Sequence, residues 1–226
     1  MGKIRTILRN KDVGEMGVGA MIVFIAMVLV AGIAAAVLIQ TANRLEIQAM
    51  QTGEQTKGEV ATGIAVFDII GKVSGSVITN LTITIKPRAG SGDIDLNNTV
   101  IEITDGTTKA LLAYNVVDTW NFNSTIDQNA IYHANVFDTG MWNESNEEFG
   151  IIVVEDPDTT DSCSQATPVI NRGDKVMLCI NAYAIFGGGL SARDDVWGII
   201  IPEEGSPGVF AFRVPPSLTD TVYDLY

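Results

Sequence analysis

The chain has 226 residues, 46% hydrophobic and 18% charged, which is too apolar for a disordered polypeptide and long enough to bury one or two packed cores. Twenty-seven Asp and Glu against fourteen Lys and Arg leave a formal charge of −13, the wrong sign for neutralising phosphates, so no nucleic-acid partner is expected. A single histidine, His133, and two cysteines, Cys163 and Cys179, exclude multi-histidine and CxxC-type metal centres.

The first fourteen residues, MGKIRTILRNKDVG, carry Lys3, Arg5, Arg9 and Lys11 against Asp12 alone. From Val18 to Ile39 the chain contains only Ala, Val, Ile, Leu, Met, Phe and Gly, and no charge follows until Arg44. As a helix those residues span roughly 33 Å, the thickness of a hydrocarbon core. The basic flank places the N-terminus on the cytoplasmic side and everything after Arg44 outside. The helix is expected to continue, because residues 40–59 lack proline and place Leu38, Ala42, Leu45 and Ala49 on one stripe.

Three readings compete for this segment. A secretory signal has a shorter apolar stretch ahead of a small-residue cleavage site, which Ala34, Ala35 and Ala36 would have to supply. A signal anchor fits the length and charge bias but not the continuation past the membrane boundary. The third reading cuts ahead of the apolar stretch and leaves a hydrophobic helix that packs against copies of itself. A rod apolar on every side in its first half cannot be satisfied by one small domain, and this favours the third. Gly19 and Gly32 permit close backbone approach between such helices, or reflect only the frequency of glycine in membrane helices.

At these residues the sequence resembles the archaeal flagellins. Their precursors carry a short basic leader, a glycine before the cut, and a mature start of the form x-x-Gly-x-Gly followed by an Ile/Val/Phe/Met-rich helix. Here Gly14 would precede the cut and Glu15-Met16-Gly17-Val18-Gly19 would begin the mature chain, with Ile22, Phe24, Ile25, Val28 and Leu29 in the helix that forms the filament core. Arg172-Gly-Asp-Lys-Val176, Ile201-Pro-Glu-Glu-Gly-Ser-Pro-Gly-Val209 and Pro215-Pro-Ser217 are also similar to that family. One departure is the leader, where Asp12-Val13 stands where basic residues usually do. Type IV pilins usually carry Glu at the fifth mature position, which is Gly19 here, so they are the weaker match. Loss of residues 1–14 leaves 212 residues and takes the formal charge to −16.

The resemblance implies a structural filament subunit and no enzyme. It implies a homo-oligomer, a prepilin-peptidase-like processing enzyme, a membrane-embedded assembly motor, and an extracellular filament whose precursor lies in the cytoplasmic membrane. The alternatives are a membrane-anchored β-domain binding module and a pilin-like adhesion filament subunit.

From residue 61 to 226 the pattern turns to short β-type runs: GIAVFDIIGKV, SVITNLTITIK, TVIEITD, KALLAYNVV, FGIIVVE, KVMLCINAYAIF, DVWGIIIP and GVFAFRV. These predict about eight strands in an antiparallel sandwich or barrel of immunoglobulin-like type, and an α+β protein overall. Sequons at Asn80, Asn97, Asn123 and Asn143 are candidate N-glycosylation sites in the outward part. Cys163 and Cys179 are expected to form a disulfide in an oxidising exterior, the alternative being two buried free thiols. Asp156, Asp158 and Asp161 offer carboxylates at loop spacing for Ca²⁺, although the EF-hand glycine and distal glutamate are missing and a solvated acidic loop is favoured. Asp93 and Asp95 are a weaker cation candidate, and no cofactor is required. Gly187-Gly188-Gly189 reads as a turn between strands.

Overall fold

The computed structural model describes residues 2–116, 122–123, 136–138, 142, 147–157 and 163–226, with the backbone alone for 2–16, 122–123 and 138. The chain divides into two compact units, Met1–Gln55 and Thr56–Tyr226.

From Gly2 onward the first unit is helical and belongs to α1, Gly2–Ala61. No proline interrupts those residues, and an α-helix satisfies its own backbone hydrogen bonds, so the element needs no partner to form its ladder. The leader and the expected cut between Gly14 and Glu15 lie inside this one helix.

Among the described residues the second unit contains thirteen strands. Eight long ones correspond to the eight expected runs: β1 (Ile64–Ser74), β2 (Val77–Pro87), β4 (Val100–Thr104), β5 (Lys109–Ala113), β7 (Gly150–Glu155), β9 (Lys175–Asn181), β11 (Asp195–Ile201) and β12 (Gly208–Arg213). Short ladders make up the rest: β3 (Ile94–Asp95), β6 (Phe122–Asn123), β8 (Val169–Ile170), β10 (Leu190–Ser191) and β13 (Val222–Asp224). The larger sheet runs β13-β1-β2-β9-β7-β6 with β10 on β2, and the smaller runs β12-β11-β4-β5. If the eight long strands are lettered A, B, C, C′, D, E, F and G in chain order, the sheets read A-B-E-D and G-F-C-C′. This is the immunoglobulin-type strand arrangement.

The core lies between the sheets. Ile69, Leu81, Ile83, Ile85, Val176, Leu178 and Ile180 from the larger sheet join Ile101, Ile103, Leu112, Val196, Ile200 and Phe210 from the smaller in one buried cluster. Alternation puts them there, since successive residues of a strand face opposite ways. Antibody domains tie B to F with a disulfide; here aliphatic side chains fill that space. Gly198 on β11 makes the packing possible, because a Cβ there would collide with the Phe210 ring and the Glu102 carbonyl.

One expected strand ends early. After Asn181 the run KVMLCINAYAIF turns into a one-turn helix, Ala182–Ile185, because the Asn181 carboxamide oxygen accepts the Ala184 N–H at 3.1 Å. The three glycines at 187–189 all have positive φ, as a turn requires.

Candidate functional site

The apolar stretch of α1 is the first candidate. Every large apolar side chain from Val18 to Ile39 is more than half exposed, including Ile22, Phe24, Ile25, Val28 and Leu29. Neighbours on a helix project about 100° apart, so this exposure runs all the way round and selects no single face. In water each such side chain forgoes about 1.5–3 kcal/mol of burial, so the segment demands an apolar environment from outside the chain. It is long and apolar enough to cross a membrane. At Gly17, Gly19 and Gly32 a Cβ would meet nothing within 4 Å beyond the helix's own adjoining backbone, leaving open grooves on the rod. Farther along, Thr41 and Thr52 donate their hydroxyls to the carbonyls of Leu38 and Gln48, each at 2.9 Å, which satisfies two polar groups within the helix.

Within the second unit, the end of α1 is held by residues that sequence reasoning did not single out. The Thr62 N–H donates to the Gly58 carbonyl, and the Ser206 N–H donates to the Thr62 carbonyl, both at 2.8 Å. Ser91 Oγ accepts the Gly63 N–H at 2.9 Å and donates to the Gly63 carbonyl at 3.1 Å, while Thr62 Oγ1 accepts from the Gly92 N–H at 3.3 Å. Gly205, at φ +98°, lies so close that any Cβ would strike the Thr62 carbonyl. The signal available in the sequence is a pair of small-residue dipeptides, Ser91-Gly92 between β2 and β3 and Gly205-Ser206 between β11 and β12, and neither by itself points to a shared partner.

The two cysteines correct an expectation, because both are free and buried and no bridge joins them. Cys179 lies on β9 between the inward-facing Leu178 and Ile180, so it points to the opposite face of the sheet and packs with Ile152, whereas Cys163 belongs to the inter-sheet core. Burial raises both thiol pKa values. That of Cys163 goes to about 12 through desolvation and then the negative charges of Asp174 and Asp156. Neither is poised as a nucleophile.

The remaining candidates separate in the same way. Asn97 is exposed, in a turn where its N–H donates to Asp95 Oδ1 at 2.8 Å and the buried Thr99 hydroxyl donates to the Asp95 carbonyl at 2.9 Å. Asn80 is half-buried within β2, opposite Lys72 on one side and Asn181 on the other. The backbone of Asn123 lies in β6. His133, Asn143, Asp158 and Asp161 lie outside the described residues. Asp156 accepts the Cys163 N–H at 3.0 Å, and Asp93 is exposed. Among the described residues no group of three His, Cys, Asp or Glu side chains is arranged to hold a metal ion.

Comparison with known proteins bears on the whole chain. The sequence profile of the archaeal-type flagellins matches residues 14–212. Flagellin B2 of Methanocaldococcus jannaschii is 45% identical over 219 residues, covering 97% of this chain and 96% of the relative. The crystal structure of archaeal flagellin FlaB1 from the same organism superposes with a TM-score of 0.62 at 27% identity, over 73% of this chain and 97% of that one. The archaeal flagellum of Methanospirillum hungatei strain JF1 shares the fold, with a TM-score of 0.59 at 15% identity over 91% and 98% of the two chains.

Proposed function

The chain belongs to the archaeal-type flagellin family, and from that premise we propose how it becomes a subunit of an archaeal motility filament. Its role is structural, and the work is done by packing. The precursor sits in the cytoplasmic membrane through α1. A prepilin-peptidase-like enzyme cuts between Gly14 and Glu15, removing the basic leader. A match to the family profile that begins at residue 14 supports this boundary.

The observation that carries the reading is the all-round exposure of Ile22, Phe24, Ile25, Val28 and Leu29. Moved from lipid into a bundle of identical helices, these side chains stay out of water, so extraction by a membrane-embedded motor loses little hydrophobic stabilisation. Gly17 and Gly19 let neighbouring backbones approach. Contacts between identical subunits that repeat without closing generate a helical filament. The β units then face solvent as an extracellular shell, with Asn97 better presented as a glycan acceptor than the half-buried Asn80. This mechanism requires no cofactor.

N-terminal sequencing with intact mass, on filaments sheared from cells, tests the route. A start at Glu15 is the expected result, and mass beyond the polypeptide would report glycans. A start at Met1 would instead favour the membrane-anchored module, and one near Val37 would end the filament reading.

A further inference from the structure

The two sheets present very different outer faces. On the larger sheet the outward side is covered: Ile152 is fully buried, Cys179 nearly so, and Val136, Trp142 and Met177 pack against them. Outward Thr82 and Thr84 on β2 are buried as well. Among the described residues the smaller sheet is open. Its outward residues include Leu111 on β5, Trp197, Ile199 and Ile201 on β11, and Val209 and Ala211 on β12, brought into register by the ladders Trp197↔Ala211, Ile199↔Val209 and Glu102↔Leu111. Val209 is 66% exposed, Leu111 59% and Trp197 48%.

The charges on this face cancel. Lys109 Nζ lies 2.7 Å from Glu102 Oε1, and Arg213 Nε lies 3.4 Å from Asp195 Oδ1. In a chain of formal charge −13, copies repel wherever acidic surface meets acidic surface, and a locally neutral apolar face is where they approach at least electrostatic cost. Four strands about 4.8 Å apart and five residues long give a face of roughly 300 Å². That whole face, its two ion pairs included, stands at the lower end of the largest patch on an ordinary monomer, about 300–600 Å² and often functional. It is well below the roughly 800 Å² per partner of a stand-alone complex.

We propose that the outer face of the β12-β11-β4-β5 sheet is the surface through which the β unit of one subunit docks on a second copy of this chain in the filament. The proposal rests on the filament reading above. Because filament subunits share one polarity, the contact is heterologous, with this face meeting a different surface of the neighbour. Its small area makes it a contact of copies already held together by their helices, where effective concentration is high, and not one that pairs free subunits.

The test introduces Val209→Glu and Leu111→Glu, at opposite edges of the face, into the full chain in a filament-forming host. Val222→Glu on β13 of the other sheet serves as control. Both face variants are expected to be processed at Gly14 and to resist protease in membranes like the parent, yet to give filaments at least tenfold shorter after standard shear. The control should retain parental length. Filaments of V209E and L111E that match the parent in length and shear resistance would overturn the proposal. A photocrosslinking residue at position 209 in assembled filaments is expected to capture a second copy of the chain; exclusive capture of a different protein would overturn it. A parental chain that is processed but never polymerises would instead overturn the filament reading.

Discussion

Isoleucine is used in opposite ways in the two units of this chain. Ile25 in α1 is 55% exposed, whereas Ile83 in β2 is completely buried. Both elements are rich in aliphatic residues, and the difference lies in where the backbone finds its partners. A helix bonds to itself and can stand as a rod with no core of its own. A strand bonds to neighbours, so a sheet forms only when the chain folds back and buries one face of it. The β unit completes its own core, and α1 leaves its core to be completed by other molecules.

Three substitutions separate these roles. The largest effect is expected from Ile25→Lys, which puts an unpaired charge where helices pack; it should abolish filaments by electron microscopy. Thermal unfolding of the β unit in membranes, followed by protease susceptibility, should be unchanged. Normal I25K filaments would mean that α1 is not the packing core. Next is Leu81→Ala, which removes a fully buried side chain between the sheets and should cost about 2–5 kcal/mol. It should lower the protease-detected unfolding temperature of the β unit while leaving membrane insertion intact, and an unchanged temperature would contradict the observed core.

The smallest effect is expected from Asp68→Asn. Partial burial, followed by the charge of Asp224 and a hydrogen bond to it, raises the Asp68 pKa above its ordinary 3.8. The folded state therefore holds this proton more tightly than the unfolded state. Stability falls as pH rises from the unfolded value through the raised one and is flat above it. A neutral amide at this position would remove that loss, so the variant should gain about 1 °C in Tm at pH 7, with no gain once the pH is below the unfolded value. A gain that persists in acid would show that the partly buried Asp68 carboxylate, ionised beside Asp224, is not its source.

Much of the architecture was legible because it rests on local pattern. A charge-free run from Val18 to Ile39 specifies a helix whatever surrounds it, and GVFAFRV specifies a strand by alternation. Once β9 is placed, parity alone sends Cys179 away from the core, so the expected disulfide failed on a rule already present in KVMLCIN. The ladders of β3, β6, β8, β10 and β13 were not legible, since two or three residues have no periodicity and exist as strands only through their partners. The open sheet face was half legible: DVWGIII does not alternate cleanly, which signals apolar residues on both sides of β11.

By itself the sequence determined an acidic chain with one all-round apolar helix and eight strands, because composition and short-range period are properties of the linear polymer. Only the tertiary structure decided that Ser91, Gly205 and Ser206 gather around Thr62 and Gly63, and that Cys163 joins the core between the sheets. It also decided that, among the described residues, the larger sheet is covered outside while Val209, Leu111 and Trp197 of the smaller are exposed. Those outcomes depend on which distant segments meet, and the order of strands across a sheet is set by closing one shared core.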